Sequence, residues 1–383
     1  MNNLEEKNKG LRLERLTLYQ FKNYESLEIT FDKSVVCFLG NNGEGKTNLL
    51  DAIHYLSFSK SYFNTIDGQN IRQGEEQASV SGEFERQGQP EMIHCAIRKS
   101  QRKIFKRNHK EYERLSEHIG LFPSVMITPY DIELILEGSE VRRKFIDATI
   151  SQYSAAYLEN LMQYNQALQQ RNNLLKTMNR SGSFSSELLE PWDHRLSMHA
   201  DIINRERAAF IEAFSPVFLE VYHHISGGKE EVKISLQAEH ADTPLIDKLA
   251  QCRERDRVLE RTTVGPHKDD LDFLLNGRSL KKFASQGQQK SFLIALKLAQ
   301  YLILKKNTQL VPILLLDDLY DKVDETRVLN LLQWLIEHHP GQVFITDTHV
   351  DRIPALLQRL NAGYNAFIIS QNSYSTTEVA HEF

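Results

Sequence analysis

The sequence predicts an α/β fold: a mostly parallel sheet assembled from both ends of the chain, an antiparallel β subdomain, and a helical lobe inserted between the two ends. Three observations predict it. The apolar run Val35–Leu39 leads into a glycine-rich loop, and Leu49, Leu50, Ile53 and Leu56 follow at helical spacing. Strand-like and helix-like segments alternate again towards the C-terminus, as parallel βαβ units do. Between them, apolar residues recur at three- and four-residue steps, the mark of amphipathic helices. The expected boundaries are 1–139 for the N-terminal part of the core, 140–256 for the helical lobe and 257–383 for the C-terminal part of the core.

In chain order, Leu11, Leu13, Leu16 and Leu18 alternate with polar residues, apart from an irregularity at Glu14-Arg15. They predict a half-buried strand. Leu27, Ile29 and Phe31 predict a second strand, and the unbroken run Val35–Leu39 a third, buried on both faces. Val80 to Phe84 and Met92 to Ile97 predict short strands, with a turn at Gly88-Gln89-Pro90. Tyr157, Leu161, Tyr164, Leu168, Leu175 and Met178 predict a long helix, broken at Arg180–Ser183. Pro191-Trp192-Asp193 opens a second helix, expected through Phe214 and antiparallel to the first. Leu271–Leu275 predicts a strand turned by Asn276-Gly277, a strong hairpin signal. A helix over 289–304, a strand over Ile313–Leu316, a helix over Val328–Ile336 and a strand over Val343–Thr346 complete the α/β pattern.

Composition narrows the function classes. The chain has 383 residues, 41% hydrophobic and 25% charged, with a formal charge of -5 from 46 basic and 51 acidic residues. That is ordinary for a globular protein and argues against a generally basic nucleic-acid coat. No apolar run approaches the ~18 residues of a membrane span. The polar N-terminus and three scattered cysteines (Cys37, Cys95, Cys252) give no sign of a secretory leader, a zinc site or a disulfide framework. A reduced, cytoplasmic protein without membrane association is expected.

The chemistry is carried by four segments. Gly40-Asn41-Asn42-Gly43-Glu44-Gly45-Lys46-Thr47 matches the P-loop pattern G-x-x-x-x-G-K-[ST] in the required strand–loop–helix context, and Asn48 continues it. Its glycines let successive N–H groups point at phosphate oxygens, Lys46 reaches the β- and γ-phosphates of ATP, and the Thr47 hydroxyl suits Mg²⁺. Leu314-Leu315-Leu316-Asp317-Asp318 is an apolar strand ending in two carboxylates. Asp317 is placed to hold Mg²⁺ and Asp318 to polarise an attacking water. Ser285-Gln286-Gly287-Gln288 lies just before a helix and begins 32 residues ahead of Asp317. A helix N-terminus is an anion site. His349, or its rival Asp347, lies just past the following strand as a candidate γ-phosphate sensor.

Taken together and in this order, the segments resemble an ABC-type ATPase head. Ser285–Gln288 is similar to the L-S-G-G-Q signature, which implies that Ser285, Gly287 and Gln288 contact ATP bound to the other subunit. About 240 residues separate the P-loop from this signature, far more than in transporter cassettes. Such spacing, with Phe21-Lys22-Asn23-Tyr24, resembles the chromosome-maintenance branch of ABC ATPases. Thr128-Pro129-Tyr130-Asp131, Gly138–Asp147, Gln166–Asn172, Val264–Asp270 and Ser285–Lys290 are similar to the RecF family. The resemblance covers about residues 11–350. It implies an ATP-dependent homodimer on duplex, gapped or junction DNA that works with RecO and RecR to load RecA. It also implies weak ATP hydrolysis in a composite dimer site, with Lys46, Asp317, Asp318 and His349 as the catalytic set. Asp321 stands where the family often has Ser, a departure at the subunit-signalling segment.

DNA contacts are expected from the densest basic run, Arg98, Lys99, Arg102, Lys103, Lys106, Arg107 and Lys110, read as part of a β-hairpin. Sequence-independent phosphate binding needs no base readout. Arg142-Arg143-Lys144 and Lys281-Lys282 are smaller clusters. The alternative function is a P-loop ATPase switch on a protein partner, with the basic run a solvated sheet edge.

Overall fold

The computed structural model describes residues 10–228, 230–238, 243–318, 325–338, 341–370 and 373–377. The chain divides into two compact units. The first comprises residues 1–131, 224–227 and 286–383; the second comprises 132–223 and 228–285.

In chain order the elements begin with β1 (Leu11–Phe21), β2 (Tyr24–Thr30), β3 (Val35–Leu39) and helix α1 (Lys46–Phe58). Strands β4 (Gln77–Arg86), β5 (Gln89–Arg98), β6 (Ile104–Arg107), β7 (Lys110–Glu111) and β8 (Ser124–Ile127) follow. Helices α2 (Ser139–Ser151), α3 (Ala155–Ser181) and α4 (Glu190–Ser226) come next. Then come β9 (Val232–Gln237), β10 (Asp270–Leu275) and β11 (Arg278–Ser279). The chain ends through α5 (Gln286–Thr308), β12 (Ile313–Leu316), α6 (Glu325–His338), β13 (Val343–Asp347), α7 (Arg352–Arg359), β14 (Tyr364–Ser370) and β15 (Ser373–Thr377).

The first unit holds two sheets. One is antiparallel, in the order β2-β1-β4-β5-β6-β7; the other runs β15-β14-β3-β13-β12-β8. In the second sheet β14, β3, β13, β12 and β8 are mutually parallel, so their carboxyl ends share one edge. One apolar cluster joins the sheets through Leu16 and Leu18, Leu49 and Ile53 of α1, and Phe38, Leu315 and Phe344. The irregularity at Glu14-Arg15 is a β-bulge, where the pairing of β1 with β4 shifts register. Buried Gln342 serves it: Leu13 N–H donates to its Oε1 at 2.8 Å, and its Nε2 donates to the Leu13 carbonyl at 2.9 Å. One side chain thereby satisfies both main-chain groups next to the bulge.

The second unit contains α2, α3, most of α4 and the antiparallel sheet β11-β10-β9. The α3–α4 pair is antiparallel: Tyr157 bonds Arg207, Asn160 bonds His199, and Arg171 bonds Asp193, so one number falls as the other rises. Ser154 caps α3 by accepting the Tyr157 N–H, and Gly182 ends it in a left-handed conformation. Two buried arginines lock distant segments together. Arg171 donates to Asp193 and Asp256, each at 2.6 Å. Arg207 pairs with Asp147 at 2.9 Å and Asp269 at 2.8 Å. Asp270 pairs with Arg142 at 2.6 Å. Within the Val264–Asp270 stretch, Asp269 is thus tied into the interior of this unit and half-buried Asp270 is tied to α2.

Several expectations need correction. The β4–β5 turn is Gln87-Gly88, both at positive φ, so Gln89 and Pro90 already belong to β5. Helix α4 continues to Ser226 through Pro216 rather than stopping at Phe214. Residues 257–285 group with the helical segment, because β10 pairs with β9 along its whole length. The first boundary falls after residue 131 rather than 139. Among the described residues, no helix is long and apolar enough to cross a membrane.

Candidate functional site

The P-loop starts where β3 ends. Gly40 has φ +141°, and a Cβ there would collide with the Ile369 carbonyl oxygen, so glycine is required on steric grounds. Gly45, at φ +102°, opens α1, and a side chain there would strike Asn23 and Tyr24. The β1–β2 turn therefore presses on the loop. Asn23 Nδ2 donates to the Glu44 carbonyl at 3.4 Å, Asn48 Nδ2 to Asn23 Oδ1 at 2.7 Å, and the Tyr24 hydroxyl to the Gly45 carbonyl at 3.2 Å.

Lys46 is buried and donates to the carbonyls of Gly40 and Asn41, both at 2.7 Å. Burial lowers its pKa, opposed by Asp318, Asp317 and Asp347. The Thr47 hydroxyl reaches Asp317 at 2.9 and 3.1 Å, across 270 residues of sequence. Asp317 also accepts the Thr346 hydroxyl at 2.7 Å. Burial pushes its carboxyl above the usual range, against both hydroxyl bonds. Asp318 is left-handed at φ 45°, and its N–H donates to Thr346 Oγ1 at 2.9 Å. These groups meet because β3, β12 and β13 are parallel neighbours ending at one edge.

A cavity of about 440 Å³ opens there, lined by Asn42, Gly43, Gly45–Asn48, Pro129, Tyr130, Asp317, Asp318 and Thr346–Thr348, with Asn23. A second, of about 900 Å³, shares Asn23, Thr47, Asn48, Tyr130 and Asp317 with it and adds Lys22, Phe63, Asn64 and Arg72. Tyr130 stands in both walls with its ring edge on Phe63. Its turn is fixed by Asp131, whose Oδ2 accepts the Thr128 N–H at 2.7 Å. Asp131 Oδ1 accepts the Tyr62 hydroxyl and lies 2.6 Å from Lys297 Nζ on α5.

The site brings together Gly40–Asn48, Asp317 and Asp318. His349 is exposed and does not line the cavity, whereas Asp347 and Thr348 do. The Asp347 carboxylate is held by Arg352 and by the His349 N–H at 3.2 Å. The signature lies in the first turn of α5, which starts at Gln286 rather than 289, directly after exposed Ser285. The first N–H groups of a helix have no intrahelical acceptor, which suits an anion there. Asp321 lies outside the described residues.

The basic run divides. Arg98 ends β5, residues 99–103 turn the chain into β6, which pairs antiparallel with β5, and β6 turns in its own hairpin to β7. Lys103 pairs with Asp67 at 3.0 Å and covers the Tyr55 ring, and Arg107 pairs with buried Glu91, so both serve the fold. Lys99 pairs with Glu76 at 2.8 Å, and Arg102 reaches the Glu113 carbonyl at 3.3 Å. Arg98 and Lys110 are exposed and Lys106 is half-buried.

As wall residues of the cavity, Asn23 and Tyr130 were not legible from residue type. The available signals were a polar turn between two alternating strands and the Thr128-Pro129-Tyr130-Asp131 stretch.

Fold and loop together define the class: a P-loop head of the ABC ATPase type, whose sheet and glycine loop hold a nucleotide-sized cavity. The sequence matches the family described as RecF/RecN/SMC N terminal domain over residues 12–362. It is 45% identical to the DNA replication and repair protein RecF of Parabacteroides distasonis, over 96% of this chain and 99% of that protein. It is also 45% identical to that of Bacteroides thetaiotaomicron, over 94% and 97%. A solved structure described as the recombination mediator protein RecF with ATP in the RecFOR pathway superposes with TM-score 0.88 at 28% identity. It covers 97% of this chain and 98% of that one. A Pyrococcus furiosus Smc head domain, at TM-score 0.56 and 18% identity, shares the fold. The chain belongs to the RecF family of DNA replication and repair proteins.

Proposed function

We propose that this protein is an ATP-switched DNA clamp of recombinational repair and replication restart. It closes as a homodimer on duplex or gapped DNA and acts with RecO and RecR in loading RecA. The observation that carries the reading is the meeting of Lys46, Thr47 and Asp317 at the ends of β3 and β12. Lys46 and Thr47 hold protein oxygens there that a triphosphate and its cation would replace. The second cavity, with Tyr130, Phe63 and amide side chains beside Thr47, suits the nucleoside end of ATP.

The donor set fits Mg²⁺: a hydroxyl and a carboxylate, all oxygen, in contact at the phosphate end. Thr47 and Asp317 would hold the ion, which neutralises phosphate charge. Asp318 is placed to polarise water. Lys46 draws the β- and γ-phosphates, and Ser285, Gly287 and Gln288 of a second copy complete the site. A single chain therefore binds ATP and hydrolyses it slowly. Of the two sensor candidates, Asp347 is committed to Arg352, which leaves the exposed His349 for the closed dimer.

DNA is gripped through phosphates. Within the basic run the work falls on Arg98, Arg102, Lys106 and Lys110, since Lys103 and Arg107 face internal partners and Lys99 pairs with Glu76. With about four contacts per copy, affinity falls steeply as salt rises. The test is binding to a fluorescent gapped duplex without nucleotide, with MgATP and with a non-hydrolysable analogue. Tight, salt-sensitive binding only with nucleotide, longest-lived with the analogue, is expected. Nucleotide-dependent dimerisation without DNA binding at any salt would favour a switch on a protein partner. Lys46→Met is expected to weaken ATP binding at least ~100-fold and to abolish the dimer; an intact MgATP-dependent dimer in that variant rules out the P-loop role.

A further inference from the structure

We infer that Arg278, Lys281, Lys282 and Phe283 form a lip that grips a second copy of this chain at the rim of its nucleotide cavity. The inference rests on the dimeric reading above and names the surface that makes the dimer.

The lip is a built feature. Asn276 and Gly277, at φ 49° and 73°, turn β10 into β11, and a single helical turn, Leu280–Phe283, follows. Leu280 is wholly buried and anchors the turn. Phe283 on the same turn is 65% exposed, with the Arg278 guanidinium 5.9 Å from its ring centre. Lys281 and Lys282 are exposed beside it. An exposed phenylalanine held by a buried neighbour and flanked by three cations contributes little to its own core. Its composition is that of an interface anchor, where aromatic and Arg side chains concentrate.

The occupant follows from position and charge. Phe283 lies two residues before Ser285, a span of at most ~7 Å. When the first turn of α5 meets the phosphates bound by a partner subunit, the lip reaches the rim of that cavity. At the cavity mouth half-buried Asp318 stands above buried Asp317, Glu44 lies close to Lys46, and bound ATP adds further negative charge. The exposed aromatic of the rim is Tyr130, at 64%. The cationic, aromatic lip thus complements an anionic, aromatic rim, so Phe283 packs toward Tyr130 of the partner subunit while Lys281 and Lys282 face its carboxylates. Two-fold symmetry makes each contact twice, so one substitution removes two anchors.

The test compares wild type, Phe283→Ala, Phe283→Tyr, the double variant K281E/K282E, and Ser285→Arg as a control. Dimerisation is read by analytical ultracentrifugation with MgATP, and nucleotide affinity by titration with a fluorescent ATP analogue. Phe283→Ala is expected to bind nucleotide as wild type does, yet to raise the dimer dissociation constant ~30-fold or more. Phe283→Tyr should restore it. The double lysine variant should weaken the dimer and flatten its salt dependence. Phe283→Ala dimerising like wild type while Ser285→Arg fails overturns the lip and leaves the clamp standing. Wild type that stays monomeric with MgATP, or Ser285→Arg that dimerises normally, overturns the clamp and the lip with it.

Discussion

In the second unit, Arg171 and Arg207 are at most 2% exposed, and each grips two aspartates from segments far apart in sequence. In the first unit, buried His54 and His118 are held neutral, and Lys46 rests on two loop carbonyls. Arg171 ties Asp193 on α4 to Asp256, with Thr262 as a further acceptor at 2.9 Å. That network sets which segments meet. Lys46 and Thr47, by contrast, hold acceptors that a nucleotide can displace. Buried charge in the second unit specifies register; around the P-loop it waits for a ligand.

The largest expected effect tests the first half of that statement. Arg171→Met leaves Asp193 and Asp256 buried without their main partner, although Arg253 still reaches Asp193 at 3.3 Å. Breaking a buried pair from one side costs about 3–5 kcal/mol. Urea unfolding followed by near-ultraviolet dichroism should show a lower midpoint of that size. The triple variant R171M/D193N/D256N should recover part of the loss, because the stranded charges are gone. No recovery would mean that Arg171 stabilises through packing alone.

Acid acts with opposite sign on the buried histidines of the first unit and on Asp269 of the second. Burial pushes His54 and His118 down to about 4. Their unfolded value is near 6.5, so the unfolded state binds more protons between these limits. The stability they contribute is present above pH 6.5 and is lost as pH falls towards 4, by roughly 3 kcal/mol for each histidine. Asp269 behaves oppositely. Burial outweighs its bond to Arg207, one of its oxygens meets no donor, and its carboxyl is pushed up to about 6. Its contribution is full below the ordinary value near 3.8 and is lost as pH rises through 6. His118→Gln should flatten the stability loss between pH 6.5 and 4, and Asp269→Asn should steepen it. Equal slopes in all three proteins would remove both assignments.

The distinction between the units was partly legible in the sequence. The P-loop, the acidic strand and the Glu14-Arg15 bulge are local: each lies within a few residues and follows from periodicity or glycine placement. The unit boundary is not local. Whether 257–285 joins the core or the lobe depends on β10 choosing β9 as its partner, a pairing with about thirty intervening residues that alternation alone does not select. Strand β14, parallel to β3, and β15, antiparallel to β14, extend the sheet on the far side of β3, yet their sequence carries no motif. The roles of Arg171, Arg207 and Lys297 are likewise invisible, because a charged residue on an amphipathic helix reads as solvent-facing until its partners are known. The basic run shows the converse: seven cations close in sequence look like one patch, and the fold spends Lys103 and Arg107 on internal partners.

The smallest effect gives the sharpest comparison, because the two units contain a matched pair of tyrosines. The Tyr62 hydroxyl donates to Asp131 and accepts from Lys297 at 3.1 Å. The Tyr157 hydroxyl donates to Asp147 at 2.5 Å and accepts from Arg207 at 3.2 Å. Each bridges a buried cation and its carboxylate, and each carboxylate keeps another partner when the hydroxyl is removed. Changing either tyrosine to Phe should therefore cost about 1–2 kcal/mol of stability. The readouts part at the nucleotide. Asp131 fixes the turn that carries Tyr130 into the cavity wall, so Tyr62→Phe should weaken ATP binding about two- to fivefold through looser placement of that wall. Asp147 belongs to the network that sets register, so Tyr157→Phe should leave ATP affinity unchanged. Titration of a fluorescent ATP analogue into both variants separates the cases. Equal weakening in the two would mean that the buried charge of the second unit also tunes the nucleotide site, and the division of labour drawn between the units would fail.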